Sequence, residues 1–220
     1  MKKNKSNRIA ALITVLVFLI PILYLFKDHL ELPSIDFAKK ESVKKEKKIV
    51  SGDGNVGKVI DRFNGVNVYY NGRVRNVNGR NTTKDGYNLG LKYQCVEFVK
   101  RYYYERFNHK MPDSYGHAKD FFNTSLEDGA FNSKRGLYQF SNASKFKPKK
   151  EDILVYGPAT FNQFGHIAII TKVTSNTVEC ISQNLGKGNG TRRTYNLLKN
   201  ESGGYLIDEP YVKGWLSRNI

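Results

Sequence analysis

The sequence predicts an α+β fold in which helices pack on an antiparallel β-sheet. Apolar residues follow a helical period over residues 93–107, whereas residues 152–197 form short β-type runs separated by turns. Helices followed by strands along the chain are typical of the α+β class. The 220 residues leave room for one domain and an appendage, and 40% hydrophobic content with 14 Tyr and 13 Phe is enough for a core.

The first half of the domain predicts two strands, a loop and a helix. Residues 57–60 and 66–70 are strand-like and flank an Asn-Gly turn, and residues 74–89 are rich in Asn, Gly, Asp and Arg, as in a long surface loop. In residues 93–107, Val96, Val99 and Tyr103 recur at helical spacing. A second helix is predicted over residues 117–122.

The second half predicts four strands, at residues 152–156, 166–172, 177–183 and 191–197. Residues 185–190 are rich in glycine and are predicted as a turn.

The N-terminus predicts a membrane anchor. Residues 1–8 form a basic leader, and residues 9–26 are a mainly apolar stretch just long enough to span a bilayer, with no small-residue cleavage site after it. The leader favours a cytoplasmic N-terminus, so we predict a single-pass signal anchor with the rest of the chain outside the cytoplasm. Residues 27–54 are predicted as a charged linker and residues 55–220 as the folded domain.

The net charge of +16 is spread along the chain, because residues 51–220 carry 25 Lys and Arg against 15 Asp and Glu. Such a surface suits anionic membranes or wall polymers. We expect no nucleic-acid partner, because no zinc-finger spacing, RNP-type signature or compact basic block occurs. The oligomeric state stays open. No cofactor or metal is predicted: a calcium-type start at Asp53 has Asn64 where an acid is needed.

Two residues point to thiol chemistry. Cys95 lies in the first turn of the predicted helix, and His166 opens a predicted strand 71 residues later. This order is the layout of papain-like thiol hydrolases, in which a thiolate attacks a carbonyl and an imidazole moves the proton. A helix N-terminus favours a thiolate, so we expect a depressed pKa at Cys95. The alternatives are a packed Cys95 or a disulfide with Cys180, and His117 is the second choice for the base.

Three motifs carry a resemblance to a known family: YQCVEF around Cys95, GHIAII around His166 and SQN at residues 182–184. They resemble the CHAP amidase family, and most closely its glutathionylspermidine amidase branch, and the resemblance runs from about Gly57 to Trp215. It implies a papain-like (CHAP) fold, a CHAP-like catalytic domain at residues 55–220, a Cys95 nucleophile and a His166 base. It also suggests that the amide of Gln94 helps the Cys95 backbone N–H stabilise an oxyanion.

The third catalytic residue departs from the family pattern. Ser182 stands where the family usually has a carboxylate that orients the His. Strand alternation places Cys180, Ser182 and Asn184 on one face, with Glu179 on the other. We therefore predict Asn184 as the orienting residue, because a Cys-His-Asn arrangement works in papain-like enzymes.

Three functions are consistent with the sequence. The first is a membrane-anchored, extracytoplasmic thiol amidase or endopeptidase that cleaves amide bonds of peptidoglycan peptides. The second is a glutathionylspermidine-type amidase acting on a small peptide amide. The third is a catalytically inactive cell-wall-binding homologue, for which Ser182 in place of a carboxylate is the argument.

Overall fold

The computed structural model describes residues 56–186 and 188–220, and this part of the chain is α+β and rich in strand. The predicted leader (residues 1–8), anchor (residues 9–26) and linker (residues 27–54) lie outside the described residues. Within the described residues, no helix combines the length and apolar character needed to cross a membrane. The elements, in chain order, are β1 (Val59–Phe63), β2 (Val66–Tyr69), β3 (Arg80–Thr82), β4 (Asn88–Leu91), α1 (Cys95–Phe107), a 3₁₀ helix (Ala118–Phe121), β5 (Phe131–Asn132), β6 (Leu137–Ser141), β7 (Ile153–Tyr156), β8 (His166–Val173), β9 (Thr177–Ile181), β10 (Arg192–Lys199), β11 (Tyr205–Ile207) and β12 (Val212–Ser217).

The centre of the fold is an eight-stranded antiparallel sheet with the order β11-β10-β9-β8-β7-β12-β6-β5. The hairpins β1–β2 and β3–β4 pair separately from it. The β1–β2 turn contains Asn64 and Gly65, both with positive φ, as a tight hairpin requires. Consecutive strands β7, β8, β9 and β10 are neighbours, which places the predicted His strand near the middle of the sheet.

Two cores cover the two faces of this sheet. The core on the α1 side contains Phe98 and Val99 from the helix with Ile167 and Ile169 from β8. The opposite core contains Ala168 and Ile170 from β8. This period-2 alternation holds β8 between two apolar layers, and each large apolar side chain so buried contributes about 1.5–3 kcal/mol.

Local backbone conformation and hydrogen bonds set the two ends of α1. It starts at Cys95, and after Phe107 the chain turns at Asn108, whose left-handed backbone (φ 50°) lets its N–H bond to the carbonyl oxygens of Tyr103 and Tyr104. Asparagine tolerates that conformation better than most residues, so it closes the helix.

Several predicted elements need correction. The helix predicted over residues 117–122 is a four-residue 3₁₀ helix, so among the described residues α1 is the single α-helix rather than one of several. The predicted loop at residues 74–89 contains β3, and the inner strand β12 was not predicted. The predictions for β1, β2, β7, β8, β9 and β10 are confirmed within a few residues at their ends.

Candidate active site

Cys95 is the first residue of α1, as the helical spacing predicts. Gln94 precedes it as the N-cap in an extended conformation, with φ −84° and ψ 164°. The unpaired N–H groups of the first helical turn therefore surround the Cys95 side chain and favour negative charge there. The side chain is partly buried and packs against the α1-side core.

His166 is the first residue of β8, where it pairs with Tyr156 of β7. The two rings lie 5.7 Å apart between centroids. Gly165 makes this position possible, because its φ is +72° and a Cβ there would come within 2.5 Å of the Tyr156 carbonyl oxygen. Glycine is therefore required immediately before His166.

The thiol of Cys95 faces the beginning of β8. The backbone N–H of Ile167, the residue after His166, lies close enough to the Cys95 sulfur to lower the pKa of the thiol. The structure thus brings the predicted nucleophile and the strand that starts with the predicted base to the same place, at the N-terminal end of α1.

The electrostatics of Cys95 differ from the prediction. Burial raises the pKa of the Cys95 thiol, and the N–H groups of Ile167, Val96 and Cys95 itself offset this only in part. The expected depressed pKa is therefore wrong in direction, because the loss of water outweighs the helix N-terminus. The resting sulfur at neutral pH is a thiol. The alternative disulfide is also excluded, since Cys95 and Cys180 are both free.

His166 is held neutral. Burial, and in second place the positive charge of Arg193, together lower the pKa of its imidazole from 6.5 to about 4. Although the residue keeps some exposed surface, its Nε2 atom is buried and has no hydrogen-bond partner among the residues that the structure describes. A neutral imidazole can accept a proton, but within residues 56–186 and 188–220 the charged group that acts on it is Arg193, which disfavours the imidazolium that would result.

The side-chain amides of Gln94 and Asn184 form hydrogen bonds with each other and with the loop at residues 71–76. Gln94 Nε2 donates to the carbonyl oxygens of Val74 (3.2 Å) and Asn76 (2.7 Å). Asn184 Nδ2 donates to Gln94 Oε1 (2.6 Å) and to the Val74 carbonyl oxygen (2.9 Å), and its Oδ1 accepts from Asn71 (3.1 Å). Both amide hydrogens of Gln94 are occupied, so its predicted place in an oxyanion hole does not match these contacts.

The predicted orienting role of Asn184 does not match its contacts either. Because His166 Nε2 has no partner, neither Asn184 nor Ser182 bonds to it. β9 ends at Ile181, and Asn184 has a left-handed backbone (φ 69°), so strand alternation does not reach it and its side chain turns toward the loop at residues 71–76. Ser182 is buried, and its N–H bonds to the carbonyl oxygen of Thr191 at 2.8 Å.

Comparison with known families matches residues 84–184 to the CHAP domain. Residues 84–184 of this chain therefore form a CHAP domain. The matched residues include both Cys95 and His166 and end at Asn184.

Three curated relatives are similar to part of this chain. Trypanothione synthetase of Crithidia fasciculata is 29% identical over 106 residues, which cover 48% of this chain and 16% of that protein. Glutathionylspermidine synthase of the same organism is 31% identical over 149 residues (59% and 19%). The bifunctional glutathionylspermidine synthetase/amidase of Escherichia coli (strain K12) is 28% identical over 139 residues (58% and 22%). The chain spans about a fifth of the length of these relatives.

A buried polar network behind Cys95 in the CHAP domain was not predicted. Gln183 is fully buried; its Nε2 donates to the Gln94 carbonyl oxygen (3.0 Å) and to Glu97 (2.8 Å), and its Oε1 accepts from the Tyr69 N–H (2.8 Å). Glu97 also pairs with Arg101 at 2.6 Å. The i, i+4 spacing of Glu97 and Arg101 is a signal for that pair. The sequence carries no comparable signal for Gln183, which fixes the start of α1 to β2.

An open groove borders the residue before Cys95. Its cavity of about 600 Å³ is lined by Tyr70, Gly72, Arg73, Val74 and Asn76. The carbonyl groups of Val74 and Asn76 are those that bind Gln94, so the groove leads to the start of α1. Its size lies in the range of small-molecule and peptide sites.

Two other possibilities, His117 as the catalytic base and a metal site, have less support in the CHAP domain. His117, the second choice for the base, is exposed and its ring packs on Phe164 at 4.6 Å. Among the described residues, no cluster of His, Cys, Asp and Glu is arranged to hold a metal ion.

Proposed function

We propose that the CHAP domain is a hydrolase of amide bonds in which Cys95 is the nucleophile and His166 the general base. The observation that carries this proposal is the position of the Cys95 sulfur, at the first turn of α1 and against the N–H of the residue after His166. The matched CHAP domain and a relative whose name includes an amidase support the reaction class.

The electrostatics favour a mechanism that starts from neutral groups. Because the pKa of Cys95 is raised and that of His166 lowered, thiol and imidazole are both uncharged at neutral pH. His166 takes the thiol proton as the sulfur attacks the carbonyl carbon, and the imidazolium then gives that proton to the leaving amine. Water, deprotonated by His166, hydrolyses the resulting thioester and releases the acid and the free thiol.

For the substrate we propose the peptides of peptidoglycan, cleaved outside the cytoplasm by an enzyme anchored through residues 9–26. The apolar stretch behind a basic leader supports the location. The net positive charge of the chain and Arg73 in the groove support a substrate that carries carboxylates. Protease added to spheroplasts should digest the domain, and complete protection would contradict this location.

A second candidate is a glutathionylspermidine-type amide, supported by the names of the relatives. Against it, the positive surface repels a polyamine. A third candidate is a wall-binding homologue without activity, supported by the unpartnered Nε2 of His166.

One experiment separates the three candidates. The full-length protein is incubated with purified muropeptides and, separately, with a glutathione–spermidine amide, and new amines are detected by mass spectrometry. Cys95→Ala is the control. We expect cleavage of muropeptides by the wild type alone. Cleavage of the spermidine amide alone would favour the second candidate, and binding to walls without any cleavage would favour the third.

A further inference from the structure

His166 shares a face of the sheet with an arginine two strands away. His166 and Ile170 point to the same side of β8, because their separation is even. Ile170 pairs with Cys180 of β9, and Cys180 pairs with Arg193 of β10. Paired residues share a face, so Arg193 lies on the His166 side. The guanidinium is near enough for its charge to act on the imidazole.

Arg193 has hydrogen-bond donors to spare. Its Nη1 donates to the carbonyl oxygens of Asn189 and Arg192. In the part of the chain that the structure describes, no carboxylate forms an ion pair with Arg193, whereas the neighbouring Arg192 pairs with Asp61 (3.0 Å) and Glu179 (3.1 Å). Carboxylates of the described residues therefore neutralise the charge of Arg192 but not that of Arg193.

Three titratable side chains on the same face of the sheet as His166 carry no negative charge at neutral pH. Burial raises the pKa of Cys180 to about 11 and that of Tyr195 to about 12, and it raises the pKa of Tyr156 well above its ordinary value. Cys95 is also a neutral thiol at pH 7. A buried imidazole nitrogen without a partner is unfavourable. The Arg193 guanidinium, which forms no ion pair with a carboxylate of the described residues, faces the same region.

We infer that a carboxylate binds between the Nε2 edge of His166 and the Arg193 guanidinium and completes the catalytic site. Its oxygens would accept from Nε2–H and from the free donors of Arg193, and no covalent bond changes. The role of this carboxylate in catalysis rests on the proposed function. The carboxylate has two possible sources, the substrate itself or a free carboxylate ion in solution.

The binding step is tested without turnover. The chain has four histidines, so the full-length protein labelled with ¹³C-histidine gives few imidazole signals, and His166→Asn identifies that of His166. The imidazole is titrated between pH 3 and 8 in sodium formate and in sodium chloride of equal ionic strength. We expect formate to raise the apparent pKa of His166 by at least one unit, because a bound anion stabilises the imidazolium.

Two arginine variants test the place of binding. Arg193→Gln should abolish the response to formate. Arg192→Gln is the matched control, because it removes one positive charge from the adjacent residue, whose guanidinium pairs with Asp61 and Glu179. It should keep the response. A pKa of His166 that formate leaves unchanged in the wild type, or raises equally in Arg193→Gln, would overturn the inference.

Turnover then identifies the source of the carboxylate. Two peptide amides are compared, one with a free carboxylate and one with that group as a carboxamide. If the substrate supplies the anion, formate accelerates cleavage of the carboxamide peptide only. If the solution supplies the anion, formate accelerates cleavage of both peptides. Formate that raises the pKa of His166 while neither amide is cleaved would support the anion site and contradict the proposed function.

Discussion

The side-chain amide of Asn184 donates a 2.6 Å hydrogen bond to Oε1 of Gln94, the residue before the candidate nucleophile. Sequence patterns give these residues separate catalytic roles, as His orienter and as oxyanion donor. In the structure they bind each other and the carbonyl oxygen of Val74. They therefore fix the groove loop to the start of α1, and this makes them positioning residues for Cys95.

A double-mutant cycle tests the Gln94–Asn184 relationship. Gln94→Ala and Asn184→Ala should each lower the free energy of unfolding by about 1 kcal/mol, as expected for lost hydrogen bonds. The double variant should lose less than the sum, by about 0.5 kcal/mol or more, because the two residues share partners. Urea denaturation measures all four proteins, and the exposed Asn196→Ala is the control.

The Asn184 variant also shows whether this residue positions Cys95 or orients the imidazole of His166. Asn184→Ala should lower kcat while leaving the pKa of His166 unchanged, because Asn184 does not contact the imidazole. A pKa of His166 that moves in Asn184→Ala would restore Asn184 as the orienting residue.

Thiol reactivity tests the assignment of the nucleophile. Iodoacetamide should label Cys95 faster than Cys180, because Cys95 is partly exposed and burial raises the pKa of Cys180 to about 11. Since the pKa of Cys95 is also raised, its labelling rate should rise about tenfold per pH unit between pH 7 and 9. Cys95→Ala and Cys180→Ala assign the two rates. A rate that is constant from pH 5 to 8 would instead indicate a thiolate–imidazolium pair.

Much of the fold was predictable because strong local patterns coincide with elements. The apolar period of α1 and the runs of β7, β8 and β9 are such patterns, and each matches an observed element. β12 was missed although it lies inside the sheet, between β7 and β6. Its sequence, VKGWLS, includes Gly214, and glycine weakens a strand signal; here a Cβ would approach the Phe140 carbonyl oxygen within 1.9 Å.

The site was predictable where it depends on element ends, and not where it depends on loop geometry. Cys95 at a helix start and His166 at a strand start follow from local patterns. The direction of Asn184 depends on one left-handed backbone angle, which strand alternation ignores. The raised pKa of Cys95 depends on burial by distant residues, which no local motif reveals.

Asp152 should make stability depend on pH. Burial raises its pKa from 3.8 to about 7, although the backbone N–H of Lys149 and the side-chain hydroxyl of Ser217 partly offset this. A raised acid pKa means that the protonated form is favoured on folding, so stability is full below pH 3.8 and is lost as pH rises through about 7. Asp152→Asn should therefore stabilise the protein at pH 8, by up to about 4 kcal/mol at 1.36 kcal/mol per pKa unit.

The expected gain disappears at low pH. At pH 4.5 Asp152→Asn should unfold with nearly the wild-type free energy, because an amide can still accept the Lys149 N–H. The exposed Asp208→Asn is the matched control and should change little at either pH. Urea denaturation at both pH values gives the comparison, and a destabilised Asp152→Asn at pH 8 would show that the carboxylate is ionised and satisfied.

The substitution Ser182→Glu would place a carboxylate on the chain itself. Ser182 is buried two residues from Cys180, which pairs with Arg193, so a glutamate there can reach toward the guanidinium and the free Nε2 of His166. Ser182→Glu should raise the pKa of His166 by about one to three units, because a nearby negative charge stabilises the imidazolium. It should also keep or raise kcat and remove the response to formate.

The control for this substitution lies in the same segment. Glu179 accepts hydrogen bonds from Thr171 and Arg192, away from the imidazole, so Glu179→Gln should leave kcat and the pKa of His166 nearly unchanged. Imidazole titration and amide hydrolysis are measured for both variants. If Ser182→Glu folds but leaves the pKa of His166 near 4, the glutamate does not reach the imidazole. If Glu179→Gln alone abolishes activity, the carboxylate that serves His166 is Glu179, and the catalytic site has to be rebuilt around that face of β9.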